Sequence, residues 1–521
     1  MAGVNLRGGP VGRCLAWAAI APLAFGELAL AQPASPPPVV QAPPAAAPPP
    51  VVVAPAPVVL PPLSPAEQAI ALKALRAANL HGLDPKAYLP ADLAEGVDLS
   101  AEQAAALTAG ILAYARAVRV GRMETAEFPA MWALRPAPYD PAPDLLAALS
   151  TSRLQAWLDS LPPRYSGYAA MKRGLARYRE IAAQGGWKPL GPGKPMGLGS
   201  TDPRVVTLRA RLAAEDELLL AEGPAVFDLP LQDAVQRAQR RFGLKPDGVV
   251  GPGVLAHLNR PVGERVLQII ANMERWRWLP PTMPATRVQV NSGAAIVTLF
   301  RDDKPVLSMK AVSGKPGDET PMLSSAIHSV VINPPWNVPS GIAERELWPK
   351  EKANPGYLAA NGYRIIKVEG AAPRLQQASG DQSALGRFKF DFDNPFAVYL
   401  HDTPSRGGFD NFARQASHGC VRVEKPRALA EALLEADPNW APEVIDAKLA
   451  VPEKTIRAPL PVKVPVYILY WTAFSGADGT MHFRTDPYGW DRQLLQLTGV
   501  LAPPPIKNTP PLPKEKGTKD V

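Results

Sequence analysis

The chain has 521 residues, 46% hydrophobic and 20% charged, enough for two to four domains of roughly 100 to 200 residues, each with a real core. Its formal net charge of +8 suits a polyanionic neighbour. The basic residues are nonetheless scattered, without the clusters and interleaved aromatics that nucleic-acid binding favours, so no nucleic-acid partner is expected. Two cysteines, Cys14 and Cys420, exclude a disulfide framework.

In chain order, residues 1–31 read as a signal peptide. Arg7 and Arg13 give the positive start, "CLAWAAIAPLAF" the apolar stretch, and Ala29-Leu30-Ala31 the cleavage site. The stretch falls short of the roughly 20 residues a membrane span requires, and "VGRC" lacks the small apolar residues of a lipoprotein site. Whether the leader is cleaved or kept as an anchor stays open; no stable span is expected after cleavage. An exported chain without Cys14 has one thiol left, inert or reactive. Residues 32–63, dense in proline and nearly uncharged, predict an extended tether.

Residues 64–184 predict a helical domain. Ser64 and Glu67 form a capping box with Pro65 at the first helical position, and His81-Gly82 ends that helix. Ile70, Leu72, Leu75 and Leu80 mark its apolar side. A second helix starts at Ser100, carries Leu107, Ile111, Leu112, Ala115 and Val118, and stops at Gly121; others are expected near 143–161 and 166–184. After a Gly/Pro linker, residues 197–260 predict three short helices, with Leu231, Val235, Ala238 and Phe242 packing against Val254, Leu255 and Leu258. The run "FGLKPDGVVG" resembles the hallmark of the peptidoglycan-binding module of wall enzymes; a plain helical spacer is the alternative.

From residue 286 the period shortens. "RVQVNSGAAIVTLF", "VLSMKAVSG" and "SSAIHSVVINPPW" read as strands. In "LGRFKFDFDNPFAVYLHD" Phe388, Phe390 and Phe392 share a face, Asn394-Pro395 turns, and Ala397 to His401 returns, which leaves His401 at a strand end. Residues 340–382, charged and irregular, form a long excursion of a length that is often functional. Residues 499–521, rich in proline and lysine, predict a disordered tail.

A thiol attacks as thiolate, and its ordinary pKa near 8.5 calls for help from a histidine or a positive backbone field. Across the intervening loop Cys420 and His401 can face each other, and Gly419 removes a Cβ so that the N–H groups of residues 419 and 420 can receive an oxyanion. His81, His257, His328 and His482 show no metal-ligand spacing, and no metal or cofactor is expected.

"HDTPSRGGFDNFARQASHGCVRVE" (401–424) resembles the signature of the YkuD-type L,D-transpeptidases, a histidine followed after about sixteen residues by Ser-His-Gly-Cys. "INPPWNVP", "LGRFKF" and the segment 465–491 resemble the large Gram-negative members. Before "LGR" this chain has Ser379-Gly380 and Ser383 where those members carry Pro-Gly and Asn.

The resemblance implies a multidomain α+β protein. Its parts would be a helical scaffold domain (64–184), a small three-helix peptidoglycan-binding domain (197–260), and a mostly β catalytic domain, a mixed sheet sandwich, at 286–450. A lid would occupy about 340–382, and residues 451–498 would return to the scaffold. It implies Cys420 as nucleophile, His401 as general acid and base, and Ser417, His418 and Gly419 around the oxyanion. Arg422 would meet the donor carboxylate; Trp336 and Tyr399 are further substrate-contact candidates, Trp336 equally a rigid core corner.

The implied partners are peptidoglycan stem peptides and glycan, with carbapenems as inhibitors, in the periplasm of a Gram-negative envelope. The implied reaction is acyl transfer through a Cys thioester, joining third residues of stem peptides and releasing D-alanine; hydrolysis is a side activity. Two rivals stay open. An exported cysteine peptidase would use the same pair, usually with the cysteine before the histidine, and a wall anchor would need only residues 197–260.

Overall fold

The computed structural model describes residues 58–90 and 99–502. The predicted leader, most of the tether and residues 503–521 lie outside them. Residues 58–63 already belong to the folded part, because Leu63 is buried and Leu60 packs beside it. Gly499 to Leu501, assigned from sequence to the tail, fold back onto the preceding helix through the Leu501 N–H bond to Leu495 O (3.0 Å).

Helix α1 (Pro65–Arg76) carries the full capping box of Ser64 and Glu67, and a 3₁₀ turn then ends at Gly82 in the left-handed region. Leu80 does not join the apolar side and is 49% exposed. Helix α2 (Ala101–Val120) has a second capping box, Ser100 with Gln103, and buries Leu107, Ile111, Ala115 and Val118. A Cβ on Gly110 would lie 2.0 Å from Tyr88 O, so glycine there lets α2 approach the preceding turn. The stretch expected as one helix near 143–161 is two, α3 (Ala142–Ser150) and α4 (Leu154–Ser160), broken at Ser152 with φ of 53°. Helix α5 (Ser166–Ala183) completes the group.

Helices α6 (Arg204–Ala213), α7 (Leu229–Phe242) and α8 (Pro252–Leu258) bury Leu231, Val235, Ala238, Phe242, Val254 and Leu258 together. Their core is continuous with that of α5 and of residues 467–495, so the three helices are not a separate bead.

Sequence analysis misses α9 (Val262–Trp276), the central pillar. Its apolar residues Val266, Ile269, Ile270 and Met273 have helical spacing, but Arg265, Gln268, Asn272, Glu274 and Arg275 are buried too. Glu274 bonds Arg277 (2.6 Å) and Arg122 (3.2 Å), and Arg275 bonds Asp491 (2.5 Å). Asn272 and Thr472 exchange two bonds of 2.8 and 3.0 Å. Buried charge survives only when paired in this way.

The sheet begins with β1 (Arg287–Asn291), β2 (Ile296–Arg301), β3 (Lys304–Gly314), β4 (Leu323–Ile332) and the short β5 (Trp336–Asn337). β6 (Tyr363–Val368) and β7 (Ala371–Gln377) follow, then β8 (Phe388–Phe392), β9 (Leu400–His401), β10 (Gln415–Ser417), β11 (Val421–Val423), β12 (Ile456–Leu469), β13 (Ala473–Ser475) and β14 (Met481–Phe483). Nine strands run in the order β10-β3-β11-β9-β8-β4-β12-β1-β2, and β2 also pairs with β3, so eight of them close into a ring. The pairings β1–β12, β9–β11 and β3–β10 are parallel and the others antiparallel. Phe388, Phe390, Leu400, Val421 and Val423 point into its core together with Leu429 and Leu434 of the helix Pro426–Leu434. Burial of each such side chain contributes about 1.5–3 kcal/mol.

Two boundaries move. Residues 456–469, assigned from sequence to a segment returning to the scaffold, are the long strand β12 inside the ring; its end at Tyr467 and Leu469, the β13–β14 hairpin and the helix Trp490–Leu497 pack against the helical part. Residues 340–382 are regular: three short helices, a π turn and a sheet β5-β7-β6, with a core of Val338, Ile342, Leu347, Leu358 and Leu375. Among the described residues no helix is long and apolar enough to cross a membrane.

Candidate active site

Strand register builds the site. β9 and β11 run parallel with Leu400 opposite Val421 and His401 opposite Arg422. Alternation sends Leu400 and Val421 into the core, so Tyr399, His401, Cys420 and Arg422 share the other face. On the far side of β9, Lys389 lies opposite His401, and its Nζ sits 4.3 Å from the Tyr399 ring centre.

Tyr399 contacts both the thiol and the imidazole. Its ring centre is 5.6 Å from that of His401, and its backbone N–H and hydroxyl both face the Cys420 sulfur, favouring the thiolate. Burial outweighs them and pushes the Cys420 pKa up. Burial, with Arg422 adding repulsion, brings the His401 pKa down to about 3, against the opposing backbone groups of Asp402 and Leu385. At neutral pH the thiol and the imidazole are therefore both uncharged. His401 Nδ1 is buried and has no hydrogen-bond partner among the described residues. An unsatisfied buried nitrogen costs about 1–3 kcal/mol.

The turn before the thiol is held by its own side chains. Ser417 Oγ donates to Cys420 O (2.5 Å) and accepts from the Gly419 N–H (3.3 Å). Thr320 Oγ1 donates to Gly419 O (2.7 Å) and accepts from the Gly314 N–H (2.8 Å). Two expectations change here. The Gly419 N–H is engaged within the turn, so receiving an oxyanion means giving up that bond. The glycine is also required for backbone shape rather than for space: its φ is 105°, while an added Cβ would come no closer than 3.4 Å to Glu319 O.

His418 turns to the insertion, where its Nε2 lies 2.6 Å from Glu346 Oε1, with Lys315 Nζ at 3.4 Å. Beside it Arg345 bonds Asp318 (2.9 Å). Glu346 and Arg345 lie in the π turn Ala343–Leu347, a local form frequent at functional sites. Sequence analysis names neither, and no local signal marks them, because the contacts cross dozens of residues. Trp336 is half-buried, packs on the insertion's core, and its indole bears on the Tyr399 hydroxyl. Arg422 is half-buried with its Nε unpartnered among the described residues. Neither of the two largest described cavities, of 650 and 670 Å³, is lined by residue 401 or 420.

The chain compares as follows. Residues 285–464 match the L,D-transpeptidase catalytic domain of the YkuD family, residues 63–175 a scaffold domain, and residues 201–258 a candidate peptidoglycan binding domain. A candidate L,D-transpeptidase of Haemophilus influenzae is 35% identical over 243 residues, 44% of this chain and 48% of that protein. The chain thus spans about half the length of this curated relative. Among solved structures, an L,D-transpeptidase of Xylanimonas cellulosilytica is 18% identical, covering 54% of this chain and 100% of its own, with a TM-score of 0.18. L,D-transpeptidase 3 of Mycobacterium tuberculosis, carrying a faropenem-derived adduct, is 14% identical over 36% of this chain and 60% of its own, with a TM-score of 0.19. Superpositions this loose add nothing to what the motif and the sheet already carry.

Proposed function

Because the chain carries a YkuD-type L,D-transpeptidase catalytic domain at residues 285–464, we propose that it cross-links peptidoglycan stem peptides through a thioester at Cys420. The donor is a tetrapeptide stem. As His401 takes the thiol proton, the Cys420 Sγ–C bond forms at the carbonyl of the third residue; the peptide C–N bond to the terminal D-alanine breaks, and the proton leaves on its amine. An acceptor amine, the side chain of another stem's third residue, then forms the new C–N bond as the thioester breaks, and His401 returns the amine proton to sulfur. Water in place of the amine gives carboxypeptidase chemistry.

The observation that carries this reading is the common face of Tyr399, His401, Cys420 and Arg422 on one parallel strand pair. His401 is the candidate base, and Arg422, half-buried with its Nε unpartnered among the described residues, is the candidate guanidinium for a donor carboxylate. Backbone donors such as the Cys420 N–H would contribute roughly 10² to 10³ in rate. The work is assigned to the periplasm, reached through the leader, and carbapenems are expected to acylate the thiol.

Intact-mass measurement after meropenem treatment tests it. One covalent adduct is expected, absent in Cys420→Ala and formed about 10² to 10⁴ times more slowly in His401→Ala. Equal labelling of wild type and Cys420→Ala would end the proposal. Chromatography of muropeptides made from tetrapeptide substrate then tells cross-linking from trimming.

A further inference from the structure

The two cavities of 650 and 670 Å³ lie away from the thiol, each within the roughly 300–1,000 Å³ of ligand pockets. Both are lined by Arg164, Tyr165, Pro281 and Thr282, which makes them consecutive chambers of one cleft. The helical part supplies one wall, including Arg119, Tyr139 and Trp157. Sheet residues Gln289 and Thr298 in one chamber, and Ser324 and Tyr467 in the other, supply the opposite wall.

Its chemistry is aromatic faces set among donors. In the first chamber Arg119, Arg135 and Arg164 stand against the single acid Asp144, while Arg277, which also lines it, is already paired with Glu274. In the second, Trp276 stacks on Trp471 with ring centres 4.3 Å apart, and the Trp276 indole N–H is buried without a partner among the described residues. Arg164, where the chambers meet, is exposed and forms no hydrogen bond or ion pair among the described residues. Flat apolar rings accept the C–H faces of sugars, and guanidinium groups pair bidentately with carboxylates. Two chambers in line suit a linear polymer better than one small molecule.

We propose that this cleft binds the glycan strand of peptidoglycan, its aromatic faces taking the sugars while its exposed arginines meet carboxylates of the stems attached to them, so that glycan and not stem alone supplies the affinity. The inference rests on the substrate reading above and deepens it: the scaffold is a second substrate-holding element, which would raise the effective concentration of stems near the thiol.

The test uses the full chain carrying Cys420→Ala, so that nothing turns over, with soluble uncross-linked peptidoglycan strands as probe and calorimetry as readout. Arg164→Glu, an exposed and unpartnered position that leaves packing intact, is expected to weaken strand binding about 10-fold or more, with Trp157→Ala acting in the same direction. Unchanged strand affinity in Arg164→Glu overturns the proposal. So does displacement of the strands by free tetrapeptide as effectively as by glycan, which would assign the cleft to peptide. Meropenem labelling of the wild-type thiol is a separate measurement, so the transpeptidase reading and the cleft fail independently.

Discussion

Glu346 Oε1 lies 2.6 Å from His418 Nε2, a bond between the inserted subdomain and the residue two before the thiol. With Arg345–Asp318 at 2.9 Å it fastens the insertion to the loops flanking Cys420.

Both pairs are partly exposed, so each contributes about 0.2–1 kcal/mol, and the Arg345–Asp318 ion pair weakens with salt. Glu346→Gln should therefore speed amide hydrogen exchange over residues 343–360 by roughly 2- to 5-fold, and 1 M salt should do the same in wild type. Exchange indifferent to both would mean that the core of Val338, Leu347 and Leu375 holds the insertion alone.

The pH dependence of thiol acylation follows from burial. A histidine brought down to about 3 stays neutral throughout the range from pH 5 to 8, so its own titration leaves no mark there. A thiol pushed up releases its proton only above its ordinary value of about 8.5. The rate of carbapenem acylation should therefore show no inflection near 6.5 and should rise on an alkaline limb above 8.5. An acid limb centred near 6.5 would contradict a buried neutral His401.

Gly419→Ala places a Cβ where φ is 105°, a region L residues rarely adopt. Its cost is backbone strain of about 1–2 kcal/mol rather than a clash, and it falls on the turn that aims the thiol. Acylation should drop at least about 10-fold while the unfolding temperature falls by only a few degrees. A variant that acylates normally would show that the turn tolerates another shape.

Asp491 is buried against Arg275 at 2.5 Å. Asp491→Asn leaves a buried guanidinium without its counter-charge, which should cost about 3–5 kcal/mol. Denaturant unfolding of the full chain measures this. A loss below about 1 kcal/mol would mean that Asn272, which also bonds Arg275 (3.3 Å), suffices.

Much of the catalytic domain is legible in its residues. Phe388, Phe390 and Phe392 announce a strand with one buried face, and the ends of β9 and β11 follow from the breaks around them. The closing of the ring is not legible, because β2–β3 and β1–β12 pairing depends on register between distant segments. Helix α9 escapes for another reason: Arg265, Glu274 and Arg275 look like solvent-facing charges until the partners that allow their burial are known. Glu346 sits in a charged run, and nothing in "GIAERELWPK" distinguishes it from Glu344; only the fold brings it to His418.

β12 lies between β1 and β4, the first and fourth strands of the ring, yet comes from the domain's far end. A chain emerging from the ribosome holds β1 and β4 each short of a neighbour until Ile456 to Leu469 arrives, with sticky margins exposed meanwhile. Closure entropy falls due in that last step. The ring that carries Cys420 beside β11 thus closes only once residues 456–469 have been delivered, well after the thiol itself.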